Sequence, residues 1–421
     1  MRKIVIAGMI GNALEWYDYA LYAQFAYIIG IKFFPKTEFV EILTFAVFAA
    51  GFVIRPLGGI IFGQIGDRLG RRIALVLGII LMAVPTAGIG LLPSYDAIGI
   101  TAPIILVIIR LIQGFSLGGE FSGCIAYIVE HSPADKSGLA GSASFVSMCL
   151  GMILGLVVAQ AFTHLLSKED LLSWGWRIPF IAGLFIGLVG LYIRTHLSES
   201  PIYKAAKAQG LLSRTPLQET LTKYWREVLM AIAVYINVTA PFYTTTVFIK
   251  NYMKTLGYEQ QQGALVCGII LISMTIMFPI SAYLSDRIGR KPVIVWASVA
   301  LVVTIYPIFL ALHSMNYILA ILSQVLFSAI VGTYMGPIPT LLVELFPTRV
   351  RFTGVAISYN LSAAIFGGTA PMVGAALHKF TGQQISLAYY LTGLALFCLC
   401  TLYFYKETYR YNLAEDITHE E

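Results

Sequence analysis

The chain has 421 residues, 58% of them hydrophobic and 12% charged, with a net charge of +6. Soluble domains are about 45–50% apolar and about 25% charged, so this composition excludes an ordinary soluble protein and fits a polytopic helical membrane protein. The positive balance sits in short loops between apolar runs, which reads as topology signalling and not as a nucleic-acid surface.

Apolar runs predict twelve helices, over roughly 4–33, 39–65, 73–93, 102–129, 137–164, 176–195, 227–252, 262–284, 292–312, 316–343, 354–378 and 385–405. Arg2 and Lys3 imitate the start of a signal peptide, but Glu15 and Asp18 interrupt the apolar run and no small-residue cleavage site follows. The segment reads as an uncleaved first helix. Segments on one side of the membrane hold more than twice the Lys and Arg of those on the other, which puts both termini in the cytoplasm. The longest connection, 196–226, is polar and basic (Lys204, Lys207, Arg214, Lys223, Arg226) and divides the helices six and six. The expected organisation is an N-terminal six-helix bundle (1–195), a cytoplasmic linker (196–226), a C-terminal six-helix bundle (227–405) and a short cytoplasmic tail (406–421).

Two motifs recur between the halves. Gly66-Asp67-Arg68-Leu69-Gly70-Arg71-Arg72 returns as Ser285-Asp286-Arg287-Ile288-Gly289-Arg290-Lys291. Glu130-His131-Ser132-Pro133, followed by Lys136 and Gly138, returns at nearly the same spacing as Glu344-Leu345-Phe346-Pro347, followed by Arg349, Arg351 and Gly354. Such pairing indicates a duplicated six-helix unit related by an axis along the membrane normal, a plan common among transporters. The fold class is therefore all-α: twelve transmembrane helices in two pseudo-symmetric bundles.

Other chemistries find no support. Five cysteines lie within apolar spans without a CxxC pair, and the six histidines show no HExxH spacing. No phosphate-binding GxxxxGK[ST] loop and no Ser/His/Asp arrangement stands out. Neither an enzyme, a bound metal nor an organic cofactor is expected, and a membrane sensor or intramembrane enzyme is a minor alternative to a carrier.

The loop Gly63-Gln64-Ile65-Gly66-Asp67-Arg68-Leu69-Gly70-Arg71-Arg72, with its echo at 285–291, resembles the signature loop of the major facilitator superfamily. Arg110-Leu111-Ile112-Gln113-Gly114 is similar to that superfamily's embedded arginine motif. Within it, Gly11-Asn12-Ala13-Leu14-Glu15-Trp16-Tyr17-Asp18-Tyr19, Arg55-Pro56-Leu57-Gly58, Gly118-Gly119-Glu120 and Leu197-Ser198-Glu199-Ser200-Pro201 resemble the metabolite:proton symporters, which include bacterial proline/betaine transporters. The resemblance implies uptake of an organic solute with protons by a monomer in the bacterial inner membrane. The tail lacks heptads, so a regulatory coiled coil is not expected. An incomplete antiporter signature around Gly151 and Gly155 favours symport over export.

Five ionisable residues, Glu15, Asp18, Arg55, Arg110 and Glu120, lie deep in the first six spans. Facing lipid, each would cost roughly 2.5–3.5 kcal/mol, so they are expected to face one another or water. Asn12, Glu15, Asp18, Tyr19 and Tyr22 share one arc of the first helix, and Arg110, Gln113 and Glu120 one arc of the fourth. Three carboxylates against two guanidiniums leave one negative charge unbalanced, and such a carboxylate tends to bind a proton. Glu15, Asp18 and Glu120 are the candidate proton carriers, with Arg110 alternating between carboxylate and substrate.

In the loops, Gly63 and Gly66 allow close helix approach, Asp67 can face a helix N-terminus, and Arg68, Arg71 and Arg72 anchor the inner surface. This reads as a gate latch, with a weaker counterpart at Asp286 and Arg290. The C-terminal half offers neutral groups: Tyr235, Thr239, Phe242 and Thr246 around Pro241, and Tyr334 in a helix-breaking stretch with Gly336, Pro337 and Pro339. Two deep cations suit one carboxylate better than three. The expected substrate is a small zwitterion such as proline or glycine betaine, held by Arg55, Arg110, Gln113 and Asn12, with Trp16, Tyr19, Tyr22, Tyr127, Tyr235 and Tyr334 offering aromatic faces. A mono- or dicarboxylate such as 2-oxoglutarate or shikimate is the alternative.

Overall fold

A computed structural model provides the structure and describes residues 2–35, 40–383, 385–409 and 413. Residues 410–412 and 414–421 of the expected tail lie outside the described residues.

Among the described residues, ten helical runs are long and apolar enough to cross a membrane: Arg71–Leu91, Thr101–Glu130, Ala134–Leu165, Arg177–Thr195, Trp225–Thr246, Gln261–Ile288, Arg290–His313, Tyr317–Glu344, Arg351–Thr381 and Ser386–Phe404. Two more crossings precede them. Arg2–Phe33 is the first span, and Val40–Val53 followed by Arg55–Arg68 forms the second. These two carry ionisable residues along their length, the first sign that their inner faces serve something other than packing. In order, the twelve are called the first to twelfth spans.

Four spans are not the uninterrupted helices that apolar periodicity predicts. The second breaks at Ile54 because Pro56, lacking an N–H, opens a new helix and cannot continue the old one. The seventh runs Trp225–Tyr243, passes through a π-turn at Thr244–Phe248 and resumes as Ile249–Leu256. The tenth stops at Met335 and restarts at Ile338, across the Gly336-Pro337 step whose composition foretold it. The eleventh runs Arg351–Ser362, then a π-turn at Ala363–Gly367, then Ala370–Thr381. The connection 196–226 contains two short helices, Pro201–Ala208 and Pro216–Lys223, each opened by proline.

Helix packing repeats between the halves. The first span packs on the fifth as the seventh packs on the eleventh, the second on the fourth as the eighth on the tenth, and the third on the sixth as the ninth on the twelfth. The halves meet where the second span packs on the eleventh and the fifth on the eighth, again a matched pair. The second and fourth spans touch backbone to backbone. A Cβ on Gly58 would strike the Phe115 carbonyl, one on Gly114 the Gly51 carbonyl, and one on Gly118 the Arg55 carbonyl. Within lipid, where apolar burial gives no preference for helix over lipid, such small-residue contact supplies the dispersion that holds helices together. It also fixes Arg55 against the fourth span.

Candidate functional site

The first span directs Glu15 and Asp18 toward the fourth, as their shared arc predicts. Arg110 Nη1 donates to Asp18 Oδ2 at 2.7 Å and to Gln113 Oε1 at 2.7 Å. Gln113 Nε2 donates in turn to Asp18 Oδ1 and to Thr86 Oγ1, both at 2.9 Å. The Arg110 guanidinium lies over the Tyr22 ring, 4.0 Å from its centroid. Tyr22 is thereby a wall behind Arg110, with its own hydroxyl donating to the Thr44 carbonyl at 3.2 Å.

Glu15 is different. It is only 2% exposed, yet neither carboxylate oxygen has a hydrogen-bond partner. Facing it is Arg55, 3% exposed, whose Nε and Nη1 are also without partners. Arg55 instead lies over the Phe52 ring at 4.1 Å, and that ring stands edge-on to Tyr243 of the seventh span at 6.2 Å. Glu15, Asp18, Tyr19, Phe52, Arg55 and Arg110 line a cleft with room for about one water molecule.

A second narrow cleft adjoins it, rich in aromatic rings but also lined by Met148, Val238, Thr239, Met335 and Ala363. Trp16 and Phe121 from the N-terminal half meet Tyr235, Phe242, Tyr243 and Tyr359 from the C-terminal half. Trp16 stands edge-on to Phe242 at 5.7 Å, Phe121 lies 4.8 Å from Tyr359, and Tyr235 is edge-on to Tyr359 at 5.3 Å. Tyr19 joins the two clefts through contacts with Trp16 at 5.4 Å and Phe52 at 6.0 Å.

Other sequence candidates are committed elsewhere. Asn12 donates to the Ser144 carbonyl at 2.6 Å and to Ser147 Oγ at 2.8 Å, tying the first span to the fifth. Tyr334 donates to the Val234 carbonyl at 2.7 Å inside the C-terminal half, and Tyr127 to the Ser198 carbonyl at 2.6 Å. Glu120 is ion-paired with Arg194, whose Nη1 donates to Glu120 Oε2 at 3.0 Å and whose other N–H groups reach the carbonyls of Ala7 and Gly8. Arg194 changes the charge balance. Counted as an inner-loop cation by its place near the end of the sixth span, it is 1% exposed, so three carboxylates face three guanidiniums. No net charge is left over; what distinguishes Glu15 is its lack of hydrogen bonds.

At the end of the bundle carrying the repeated loops, the halves are bolted together. The Asp67 carboxylate accepts the Phe352 and Thr353 amides at 3.1 and 2.9 Å, at the N-terminus of the eleventh span. Gly63 and Gly66 make room: a Cβ on Gly63 would come 2.7 Å from Thr353 Cα, and one on Gly66 would enter the Phe352 ring. Arg71 pairs with Asp67 and with Glu130, both at 3.1 Å, and donates to the Thr348 carbonyl at 2.7 Å. Glu130 also takes Arg351 from the other half at 2.9 Å. The counterpart has Asp286 accepting the Gly138 and Leu139 amides, both at 2.8 Å, and pairing with Arg290 at 2.6 Å. Arg290 reaches Glu344 at 3.2 Å and Ser137 at 2.8 Å. Ser137 stands where the first set has Arg351, so this side has one guanidinium fewer. Arg68 gives its backbone carbonyl to the Tyr203 hydroxyl at 2.9 Å, and Arg72 reaches the Thr195 carbonyl.

Two residues to which the sequence assigned no role complete the pattern. Glu199 accepts the Arg71 and Arg72 amides at 3.1 Å each, and Glu407 accepts those of Arg290 and Lys291 at 3.0 and 2.9 Å. Each acid caps the positive N-terminus of a span. Their signal was an acidic residue shortly after the sixth and the twelfth spans.

The sequence profile described as Major Facilitator Superfamily matches residues 39–368. The chain belongs to the major facilitator superfamily. A proline/betaine transporter of Escherichia coli (strain K12) is 35% identical over 420 residues, spanning 97% of this chain and 84% of that protein. A glycine betaine/proline/ectoine/pipecolic acid transporter of Dickeya dadantii (strain 3937) is 36% identical over 420 residues with the same coverage. Among solved structures, the proton:xylose symporter bound to 6-bromo-6-deoxy-D-glucose shares the fold at a TM-score of 0.82 and 19% identity, across 100% of this chain and 98% of that one. This superfamily member is a multi-pass membrane transporter of small solutes and not an enzyme.

Proposed function

We propose that this transporter imports a small zwitterion of the class of proline and glycine betaine together with protons, by alternating access across a bacterial inner membrane. The observation that carries this reading is the pair of clefts: Arg55, with two nitrogens lacking partners, beside the unbonded carboxylate of Glu15, and an aromatic cleft immediately next to them. Arg55 takes the substrate carboxylate, the aromatic faces take its ammonium by cation–π attraction, and Glu15 takes the proton. Asp18, Arg110, Gln113 and Thr86 are hydrogen-bonded to one another and hold the wall.

Charge balance favours this class over dicarboxylates. A dicarboxylate needs a second deep cation, and Arg110 already bonds Asp18 and Gln113 while Arg194 bonds Glu120. The relatives' names, proline/betaine and glycine betaine/proline/ectoine/pipecolic acid transporters, point the same way. The bolted end is the cytoplasmic gate, with both termini on that side. Residues 1–195 and 227–405 are the two moving bodies joined by 196–226, with 406–421 as the tail, and the working unit is a monomer without organic cofactor or metal.

The test is competition for glycine betaine uptake in proteoliposomes with an alkaline interior. Proline should displace betaine while 2-oxoglutarate, citrate and shikimate should not. Uptake of 2-oxoglutarate or shikimate with indifference to betaine and proline would overturn the substrate class.

A further inference from the structure

We infer that Asn360 of the eleventh span is a positioning residue of the gate, a tie between the two halves that lies deeper than the bolts and is released each time the cytoplasmic end opens. This rests on the reading of the bolted end as the cytoplasmic gate and adds to it a contact inside the membrane.

Asn360 is 1% exposed. Its Nδ2 donates to the Ala356 carbonyl of its own helix at 2.7 Å and, across the halves, to the Gly118 carbonyl of the fourth span at 2.8 Å. Both neighbours are carbonyl oxygens, which fixes the nitrogen as the atom that faces them. Oδ1 is buried without a partner. A leucine would fill a similar volume without burying that acceptor, so what the amide holds accounts for it better than packing does.

Glycines make the place. A Cβ on Gly59 of the second span would come within 2.5 Å of Asn360 Nδ2, and one on Gly118 would strike the Arg55 carbonyl and the Gly59 amide. Three spans thus converge on one amide. Gly59 precedes Asp67 by eight residues and Asn360 follows Phe352 by eight, so the contact lies about 12 Å deeper than the bolt along both helices. It stands between the bolt and the clefts, since the adjoining Tyr359 is the residue that packs on Phe121.

The other seam between the halves is built differently. Counted from the repeated loops, Phe278 matches Gly59 and Gly332 matches Gly118. Phe278 packs on Phe145 of the fifth span at 5.5 Å, and the Gly332 carbonyl accepts Ser281 Oγ of its own half at 3.3 Å. The carbonyl that Asn360 ties across the halves is, at the matched position, held within one half. Release also strands neither group. When the halves part, Nδ2 keeps the Ala356 carbonyl, and Gly118 stays inside the helix Thr101–Glu130. A contact that breaks in every cycle has to avoid leaving buried polar groups unpaired.

The experiment follows thiol labelling in inside-out vesicles, with the full-length protein carrying a cysteine in place of Ala356, which is buried with Phe62 of the other half. Asn360→Leu removes the donor and should label roughly two- to tenfold faster than wild type, while the KM for glycine betaine stays within about twofold. Asn360→Asp keeps the shape and donates only when protonated. A buried carboxyl holds its proton to higher pH, so its labelling rate relative to wild type should be close to one at about pH 5.5 and rise toward that of Asn360→Leu by about pH 9.5. A ratio for Asn360→Asp that does not change with pH would overturn the inference. So would an unchanged labelling rate in Asn360→Leu, or a large rise in its KM, which marks a substrate contact. Asp67→Ala in the same vesicles separates the two readings: if it fails to speed labelling, the gate assignment itself is wrong, and this inference with it.

Discussion

Asp67 and Asp286 make the same contact from opposite halves: each carboxylate accepts two backbone amides at the N-terminus of a span belonging to the other half, and each pairs with an arginine four residues on. Closure of this end thus depends on two matched bolts. Hydrogen bonds to a charged group contribute about 1.5–3 kcal/mol each. Asp67→Ala, which also strips Arg71 of a partner, should destabilise the closed end by roughly 3 kcal/mol, on the order of 100-fold in the open-to-closed ratio. Thiol labelling of cysteines placed beneath the bolt should speed up accordingly, with protein still inserted; an unchanged labelling rate would argue against the latch.

The two bolts should be unequal. Glu130 holds Arg71 and Arg351, whereas Glu344 holds Arg290 and the Thr408 hydroxyl. Glu130→Ala removes a carboxylate shared by two buried guanidiniums, Arg71 and Arg351, whereas Glu344→Ala removes one from Arg290 alone, so Glu130→Ala should open the end more by the same labelling assay. Equal effects would mean that Arg351 contributes nothing.

Glu120 and Arg194 should act on stability. Removing one partner of a buried pair costs roughly 3–5 kcal/mol. Glu120→Gln should therefore lower the thermal midpoint of detergent-solubilised protein by several degrees. Any protein that survives should still respond to pH during betaine exchange. Loss of the pH response with unaltered thermal stability would instead make Glu120 a proton carrier.

Gly118 should tolerate no side chain. A Cβ there meets the Arg55 carbonyl and the backbone of Gly58, and overpacking of this kind costs about 1–3 kcal/mol. Gly118→Ala should displace the segment that carries Arg55, raising the KM for betaine more than it slows turnover. An unchanged KM would show that the close contact of the second and fourth spans does not set the site.

Much of this was legible before the structure. Hydropathy and the repeated loops marked the twelve spans, and the arcs of the first and fourth helices brought Asp18, Arg110 and Gln113 together correctly. What escaped depended on partners across the fold. Arg194 lies one residue before the end of its helix, where a lone arginine reads as a topology signal, and only contact with Glu120 reveals its burial. Asn12 and Tyr334 sit at plausible positions on their helices, but which neighbour satisfies them is decided by tertiary packing. The π-turns in the seventh and eleventh spans leave no trace in hydropathy, and the second span read as one helix although it breaks before Pro56; Pro337 and Pro339 did announce the break in the tenth.

Glu15 is the centre of the proposed mechanism, and one measurement addresses it most directly. An internal pH dye in proteoliposomes would report proton entry on addition of glycine betaine or proline, for wild type and for Glu15→Gln. Wild type should acidify the lumen with solute, while Glu15→Gln should exchange betaine without acidification. Substrate-evoked acidification that persists in Glu15→Gln would contradict the role given to Glu15.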